Sequence, residues 1–227
     1  LILALAGHSG LEKLIMCDHL VGRNGCAAVA TLLQDPNSKL TVLDLRDNDI
    51  DDEEAAVLAT GLAENSTLKD LNLGRNHGIT VTGWRAIFAA LQSPSCRLEK
   101  LSLGGNGINN ATAHSLSNTL ANNSTIRALN LSGSPDITIA GWSALFQFLQ
   151  SPTCMLEELD LCNIEIDDDV ALSLANALTN NSSLRSLDLS HNHEITIAGW
   201  REIFAFLQSP HSLLESLDLS MSGINDE

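Results

Sequence analysis

Large apolar residues recur along the chain in the frame LxxLxL, and the spacing of this frame organises the whole sequence. The frame opens at Leu11, Leu40, Leu68, Leu98, Ile126, Leu156, Leu184 and Leu214. Apolar residues that alternate over a few positions predict a short β-strand with one buried face. Successive openings are 28 to 30 residues apart, a period typical of solenoids built from one repeated unit.

Apolar positions at helical spacing follow each frame, and two types of unit alternate, so that the full period is 58 residues. In the first type, Ala55, Leu58 and Leu62 lie on one face of a predicted helix. Asp51 and Glu54 have the spacing of a capping box, which predicts where this helix begins.

The second type of unit carries the hexapeptide ITIAGW at 137–142 and 195–200, and the near copy ITVTGW at 79–84. The threonine is predicted to cap the helix, and the glycine to allow a close approach to the neighbouring unit. The tryptophan begins an apolar stripe that a phenylalanine four residues on and a leucine seven residues on continue. We therefore expect the three tryptophans to form core and helix packing, and not an aromatic ligand site.

Each unit thus predicts a strand, a turn and a helix, which cannot bury its apolar face alone. Stacking of neighbours buries it, so the predicted fold is an α/β leucine-rich-repeat solenoid, a horseshoe with a parallel sheet on the concave face and helices on the convex face. We expect one domain over residues 1–227, with about eight units, as part of a longer array. Leu1–Ala6 resembles the tail of a helix, and Leu214, Leu217, Leu219 and Ile224 are expected to expose apolar surface.

The segment LTVLDLRDNDI contains LxxLxLxxNxI, and together with the unit length and the two alternating types it resembles a known family. The chain is similar to the ribonuclease-inhibitor-type subfamily of leucine-rich repeats, which also occurs in the sensor regions of NOD-like receptors. The unit ITxxGWxxxFxxLQSP is similar to repeats in uncharacterised algal proteins. The resemblance implies the solenoid fold and specifies no activity.

Composition narrows the classes of partner. There are 28 acidic and 12 basic side chains, a formal charge of -16, which argues against nucleic acid because phosphate contacts need clustered cations. The opening LILALAG is too short to span a membrane. Five cysteines, an odd number without CxxC spacing, favour a reducing compartment, and we expect a cytoplasmic protein.

The sequence offers no chemistry for catalysis. It contains no GxSxG, P-loop or HExxH motif. His191, His193 and Glu194 lie in a predicted turn without a second group of ligands, so a polar rim is favoured over a metal site. We therefore predict no catalytic residue, no metal and no cofactor.

The strand residues that alternate with the leucines define the candidate binding surface. One position alternates in sign, which favours a scaffold role through cross-strand pairs: Lys69, Glu99, Arg127, Glu157, Arg185 and Glu215. Another position places like charges on three successive strands, at Asp160, Asp188 and Asp218. These charges repel one another, which suggests either a cationic partner or a merely solvated face.

The candidate partner-binding residues follow from these positions: Asp160, Asp188, Asp218, Glu158, Asn130, Ser102, Asn72 and Asp44. Beside them, Gly74, Gly104 and Gly105 leave the strand ends almost free of side chains. A partner could approach the backbone there, or the small residues could simply ease the turn.

Our leading hypothesis is a non-catalytic protein–protein interaction module that binds a protein, with a basic one favoured, on its concave face. Two alternatives stay open: a regulator of an enzyme, such as an activator or inhibitor of a small GTPase, and an architectural spacer. We expect neither a nucleic acid nor a membrane as partner.

Overall fold

The computed structural model describes residues 8, 10–18 and 21–224, and the predicted helix tail at Leu1–Ala6 lies outside them. The chain divides into two compact halves, Leu1–Gly107 and Ile108–Glu227, which we call the N-terminal and C-terminal halves. In both halves a strand, a turn and a helix alternate, which confirms the predicted α/β leucine-rich-repeat solenoid.

The N-terminal half contains four parallel strands paired in chain order, with leucine opposite leucine, as in the register of Leu43 with Leu71. Its elements are β1 (Lys13–Ile15), α1 (Gly22–Gln34), β2 (Val42–Asp44), α2 (Asp52–Glu64), β3 (Asp70–Asn72), α3 (Val81–Leu91) and β4 (Lys100–Ser102).

The C-terminal half repeats this arrangement with four further parallel strands, and Leu159 is in register with Leu187. Its elements are α4 (Asn110–Ala121), β5 (Ala128–Asn130), α5 (Ile139–Phe146) continued by a 3-10 turn (Gln147–Gln150), β6 (Glu158–Asp160), α6 (Asp168–Leu178), β7 (Ser186–Asp188), α7 (Ile197–Leu207) and β8 (Ser216–Asp218).

The core of each half is a ladder of leucines under the helices. In β2, β3 and β7 the middle residue is buried while its two neighbours are not, because successive strand residues point to opposite faces. We call the side of the sheet away from the helices the sheet face. Around β8, Leu214, Leu217 and Leu219 are only half-buried and Ile224 is 42% exposed, as predicted.

The three tryptophans are core residues, as predicted. None is more than 5% exposed, and Trp84 stacks on Phe88 with ring centroids 5.9 Å apart. The predicted burial of the following phenylalanine holds for Phe88 and Phe146 but is wrong for Phe204, which is 37% exposed. Phe204 lies on α7, the last helix of the described residues, and no described helix packs beyond it.

The helix caps are largely those predicted. Asp51 and Glu54 form a reciprocal capping box at the start of α2. Thr80 and Thr196 cap α3 and α7 through their hydroxyl oxygens. Thr138 was predicted to cap α5 in the same way and does not, since its hydroxyl accepts a hydrogen bond from the amide of Asn110 at 2.9 Å.

A carboxylate from one repeat holds the start of the helix in the next. Asp168 of α6 accepts three hydrogen bonds. Thr196 donates two of them, from its backbone N–H (2.8 Å) and from its side-chain hydroxyl (2.6 Å), and the backbone N–H of Gly199 donates the third (3.0 Å). A Cβ on Gly199 would lie 2.5 Å from the Oδ1 of Asp168. Asp52 and Gly83 repeat this geometry in the N-terminal half, which explains the glycine of ITxxGW.

Candidate protein-binding surface

One row of polar side chains crosses the sheet face in each half. In the C-terminal half, the register aligns Asn130 with Asp160, Asp160 with Asp188, and Asp188 with Asp218. We call Asp160, Asp188 and Asp218 the acidic row. In the N-terminal half the same position is occupied by three other predicted residues, Asp44, Asn72 and Ser102.

The side chains of the acidic row are oriented by the backbone. The Oδ1 atoms of Asp160, Asp188 and Asp218 accept the backbone N–H two residues further on, at 3.0, 2.8 and 2.8 Å. Asn130 and Asn72 do the same at 3.0 and 2.9 Å. An aspartate or asparagine at this position therefore stabilises the local turn, a role that the alternation of charges along the sequence did not indicate. The observed bonds leave the second oxygen of the carboxylates for other contacts.

Asp160 differs from the other two aspartates of the acidic row in having a side-chain partner on the neighbouring strand. The amide of Asn130 donates to its second oxygen, Oδ2. Asp160 is half-buried, and burial raises its carboxyl pKa, as does the charge of Asp188. Asp218 is exposed, and a hydrogen bond from Ser220 lowers its pKa. Within the row, Asp160 is therefore the carboxylate that has a side-chain hydrogen-bond partner on the neighbouring strand.

The side chains around these two aspartates are short. On β7, Asp188 lies between Ser186 and Ser190, and on β8, Asp218 lies between Ser216 and Ser220. At β6 the corresponding neighbours of Asp160 are the exposed Glu158 and the half-buried Cys162. Burial raises the pKa of the Cys162 thiol, and all three aspartates of the row raise it further, so this thiol stays neutral.

The predicted scaffold role of the charges that alternate in sign is supported by ion pairs within each half. Lys69 pairs with Glu99, and Arg127 pairs with Glu157 at 3.5 Å. Arg185 pairs with Glu215 at 2.7 Å. Because Arg185 is already engaged by Glu215, it does not neutralise the acidic row.

The excess negative charge belongs mainly to the C-terminal half. Residues 1–107 contain nine Lys and Arg and thirteen Asp and Glu, a net charge of -4. Residues 108–227 contain three Lys and Arg and fifteen Asp and Glu, a net charge of -12. In the N-terminal half, moreover, Asp44 has Arg46 nearby, with Oδ2 and Nη2 3.6 Å apart. The candidate residues of the two halves therefore differ in electrostatic character.

Comparisons with known proteins agree with this architecture. A model of the family described as Leucine Rich repeat matches residues 37–59, 64–88 and 180–199. The ribonuclease inhibitor of Sus scrofa is 31% identical over 98% of this chain and 49% of its own length. The chain contains leucine-rich repeats, and these are similar to the repeats of ribonuclease inhibitors.

Other relatives contain the same repeats in longer proteins. NACHT, LRR and PYD domains-containing protein 14 of Homo sapiens is 28% identical over 100% of this chain and 20% of its own length. The chain thus spans less than half the length of the curated relatives it matches. A solved structure, the complex of Rad7 and Elc1 in yeast, shares the fold: the TM-score is 0.54 with 18% identity, over 93% of this chain and 70% of that chain.

The glycines at the strand ends of the leucine-rich repeats have a structural role. Gly74 is buried, and a Cβ there would lie 2.9 Å from the carbonyl oxygen of Gly104. A side chain at this position would push adjacent repeats apart. The close packing favours the interpretation that small residues ease the turn over an open approach to the backbone.

The histidines and cysteines of the described residues form neither a metal site nor a disulfide. His191 and His193 are exposed on a turn with ring centroids 6.3 Å apart. Within the described residues, no group of three or more His, Cys, Asp or Glu side chains could hold a metal ion. None of the five cysteines forms a disulfide. No helix in the described part of the chain is long and apolar enough to cross a membrane.

Proposed function

We propose that this chain is a non-catalytic protein-binding module, and that the sheet face of its C-terminal half binds a basic protein. The observation that carries the proposal is the acidic row. Asp188 and Asp218 stand on adjacent strands, in register. Among the described residues, Arg185, the arginine nearest to Asp188 along the chain, pairs with Glu215 and not with either aspartate. Like charges held at neighbouring positions attract a cationic partner more strongly than isolated charges do.

The comparisons support the general class of this function. Leucine-rich repeats are commonly binding modules, and one relative is named for its inhibition of a ribonuclease. That name also supports the alternative that this chain regulates an enzyme through the same surface. Another structure of this fold is a complex between two proteins, Rad7 and Elc1.

We also infer that the protein works without a catalytic step and in a reducing compartment such as the cytoplasm. Each aspartate of the acidic row accepts the backbone N–H two residues further on, as in the bond from Ser190 N–H to Asp188. Five cysteines without a disulfide favour a reducing environment.

The proposal is tested by charge reversal with a matched control. D188K/D218K reverses the two least compensated charges of the acidic row and leaves Asp160 with its Asn130 partner. D169K/E202K makes the same change in net charge on α6 and α7, on the opposite side of the sheet. Both variants and the unaltered chain are used for affinity capture from cell extract at low and high salt.

We expect a basic protein to be captured by the unaltered chain and by D169K/E202K, and to be lost with D188K/D218K. High salt should also release it, because charges are screened beyond about 10 Å at 0.1 M ionic strength and beyond about 3 Å at 1 M. Capture that is equal for all three chains would show that the acidic row is not the binding surface and would favour the spacer alternative.

A further inference from the structure

We propose that an ordered water molecule binds beside Ser134, in the turn after β5, where it replaces an asparagine side chain that holds the same turn in other repeats. The inference goes beyond the proposed function and does not depend on the acidic row. It follows from the residue three positions after the last leucine of each LxxLxL frame, which we call the turn residue.

The turn residue is a buried asparagine in several repeats, namely Asn48, Asn76, Asn106 and Asn192. The contacts of Asn192 show what this side chain does. Its amide nitrogen donates to the carbonyl oxygens of Leu161 at 2.9 Å and Leu189 at 3.0 Å. Its Oδ1 accepts the backbone N–H of Ile164 at 3.1 Å. One asparagine thus satisfies buried polar groups of its own repeat and of the repeat before it.

The N-terminal half contains the same set of contacts. The amide nitrogen of Asn76 donates to the carbonyl oxygens of Leu73 at 3.0 Å and Leu45 at 3.1 Å. The Oδ1 of Asn76 accepts the backbone N–H of Asn48 at 3.1 Å. The bonding is therefore a repeated property of this position when it carries asparagine.

Two successive repeats of the C-terminal half lack this asparagine, with serine at position 134 and isoleucine at position 164. Ser134 is fully buried, and its Oγ forms no hydrogen bond within the described residues. Ile164 has no polar side-chain atom, so it can neither accept from the backbone N–H of Ser134 nor donate to the carbonyl oxygen of Leu131. An unpartnered hydroxyl and two backbone groups that lack the side-chain partner supplied by asparagine elsewhere thus lie within four residues of chain.

A serine at this position is able to form a direct bond, and Ser134 differs in not doing so. Ser222, the turn residue of a later repeat, is 1% exposed and donates to the carbonyl oxygen of Leu189 at 2.9 Å. Buried hydroxyls in folded proteins are ordinarily bonded either to protein groups or to ordered water. Since Ser134 lacks a protein partner among the described residues, water is the ligand that its chemistry fits.

The size and the bonding capacity of one water molecule match the difference between the two kinds of turn residue. The side chain of serine is shorter than that of asparagine by about the space that a water molecule occupies. A water molecule donates two hydrogen bonds and accepts others, and buried waters typically make about three. It can therefore bond the Ser134 hydroxyl, accept the Ser134 N–H and donate to the Leu131 carbonyl oxygen, as the asparagine amide does in other repeats.

A crystal structure of the intact chain, at a resolution that shows ordered waters, tests the inference. We expect a water oxygen about 2.8 Å from the Oγ of Ser134, with at least one further polar partner in the same turn. S134N is the matched variant, because its amide should reach the carbonyl oxygen of Leu131 as Asn192 reaches that of Leu189. The water should be absent from the S134N crystal structure.

Water–amide NOE measurements test the same site in solution. The amide proton of Ser134 should show an NOE to a long-lived bound water, and this NOE should be lost in S134N. The amide of Ile164 is the internal control, because its N–H already has Asn192 Oδ1 as acceptor and should show no such NOE. Circular dichroism establishes that S134N is folded.

A Ser134 hydroxyl that bonds directly to a protein group, as that of Ser222 does, would overturn the inference. An empty space beside Ser134 in the crystal, with no water NOE at its amide, would overturn it equally. A water that stays in place in folded S134N would refute the claim that it substitutes for the asparagine side chain. The measurements on the unaltered chain decide the matter even where S134N does not fold.

Discussion

The carboxylate that connects α6 to the start of α7 gives the most specific stability prediction. Asp168 accepts three hydrogen bonds from the next repeat, two from Thr196 and one from the backbone N–H of Gly199. The substitution D168A removes all three acceptor contacts and leaves the neighbouring capping residue Asp167 in place. The change therefore isolates the contact between repeats.

The expected cost can be worked out from these contacts. Thr196 is exposed, so water replaces the two bonds that it makes. Gly199 is buried, and its N–H loses its acceptor, which for a buried donor costs about 1 to 3 kcal/mol. Substitution of a capping side chain by alanine costs about 0.5 to 2 kcal/mol. We expect D168A to lower the free energy of unfolding by about 2 kcal/mol, and D168N, which keeps the Oδ1 acceptor, by about 1 kcal/mol.

The effect should depend on pH with a defined sign. The hydrogen bond from the Thr196 side chain lowers the pKa of Asp168. A carboxyl whose pKa is lower in the folded state binds fewer protons in the folded than in the unfolded chain. The contribution of Asp168 to the free energy of unfolding is therefore complete above the ordinary pKa of about 3.9, and it is lost as the pH falls through the folded-state pKa. The difference between the unaltered chain and D168A should therefore be full at pH 7 and shrink below about pH 4.

Urea unfolding followed by tryptophan fluorescence measures the cost, and hydrogen exchange of the α7 amides shows where it acts. The unaltered chain, D168A and D168N are compared at pH 7 and pH 3. A cost for D168A below about 0.5 kcal/mol at pH 7, or faster exchange spread evenly over the C-terminal half, would refute the idea that this carboxylate holds α7 in place.

Three further predictions follow from the same repeats. N110D should stabilise the chain by about 0.5 to 1 kcal/mol in urea unfolding, because it restores at α5 the carboxylate that Asp52 supplies in the N-terminal half. G83A should destabilise by about 1 to 3 kcal/mol, since its Cβ would lie 2.6 Å from the carboxylate of Asp52, whereas G10A, with nothing within 4 Å, should be neutral. Burial raises the pKa of Cys26 to about 12, so a thiol-reactive disulfide at pH 8 should leave Cys26 unmodified until the chain is unfolded, as peptide mapping would show.

The periodic features of the fold were predictable from the sequence. The leucine frame, the two types of helix and the burial of Trp84 each depend on residues that contact their own or the adjacent repeat, so the pattern itself contains the information. The predicted capping of α2 by Asp51 was confirmed for the same reason, since both partners lie within four residues.

The contacts that the sequence did not reveal join residues about 28 to 30 positions apart. Asn110 engages the Thr138 hydroxyl that was expected to cap α5, and Asn130 donates a hydrogen bond to Asp160. In both cases a polar side chain forms a hydrogen bond with a residue on the next strand or helix. Whether such a bond forms depends on the distance between the two side chains in adjacent repeats, and the periodicity of the sequence does not give that distance.

Photo-cross-linking tests most directly the central claim that a partner binds the sheet face of the C-terminal half. A photoreactive amino acid replaces Ser216 on β8, beside the acidic row, or Glu202 on α7, on the opposite side, and each chain is irradiated in cell extract. We expect a salt-sensitive cross-link to a basic protein from position 216 and none from position 202. Cross-links from position 202 alone, unaffected by salt, would contradict it.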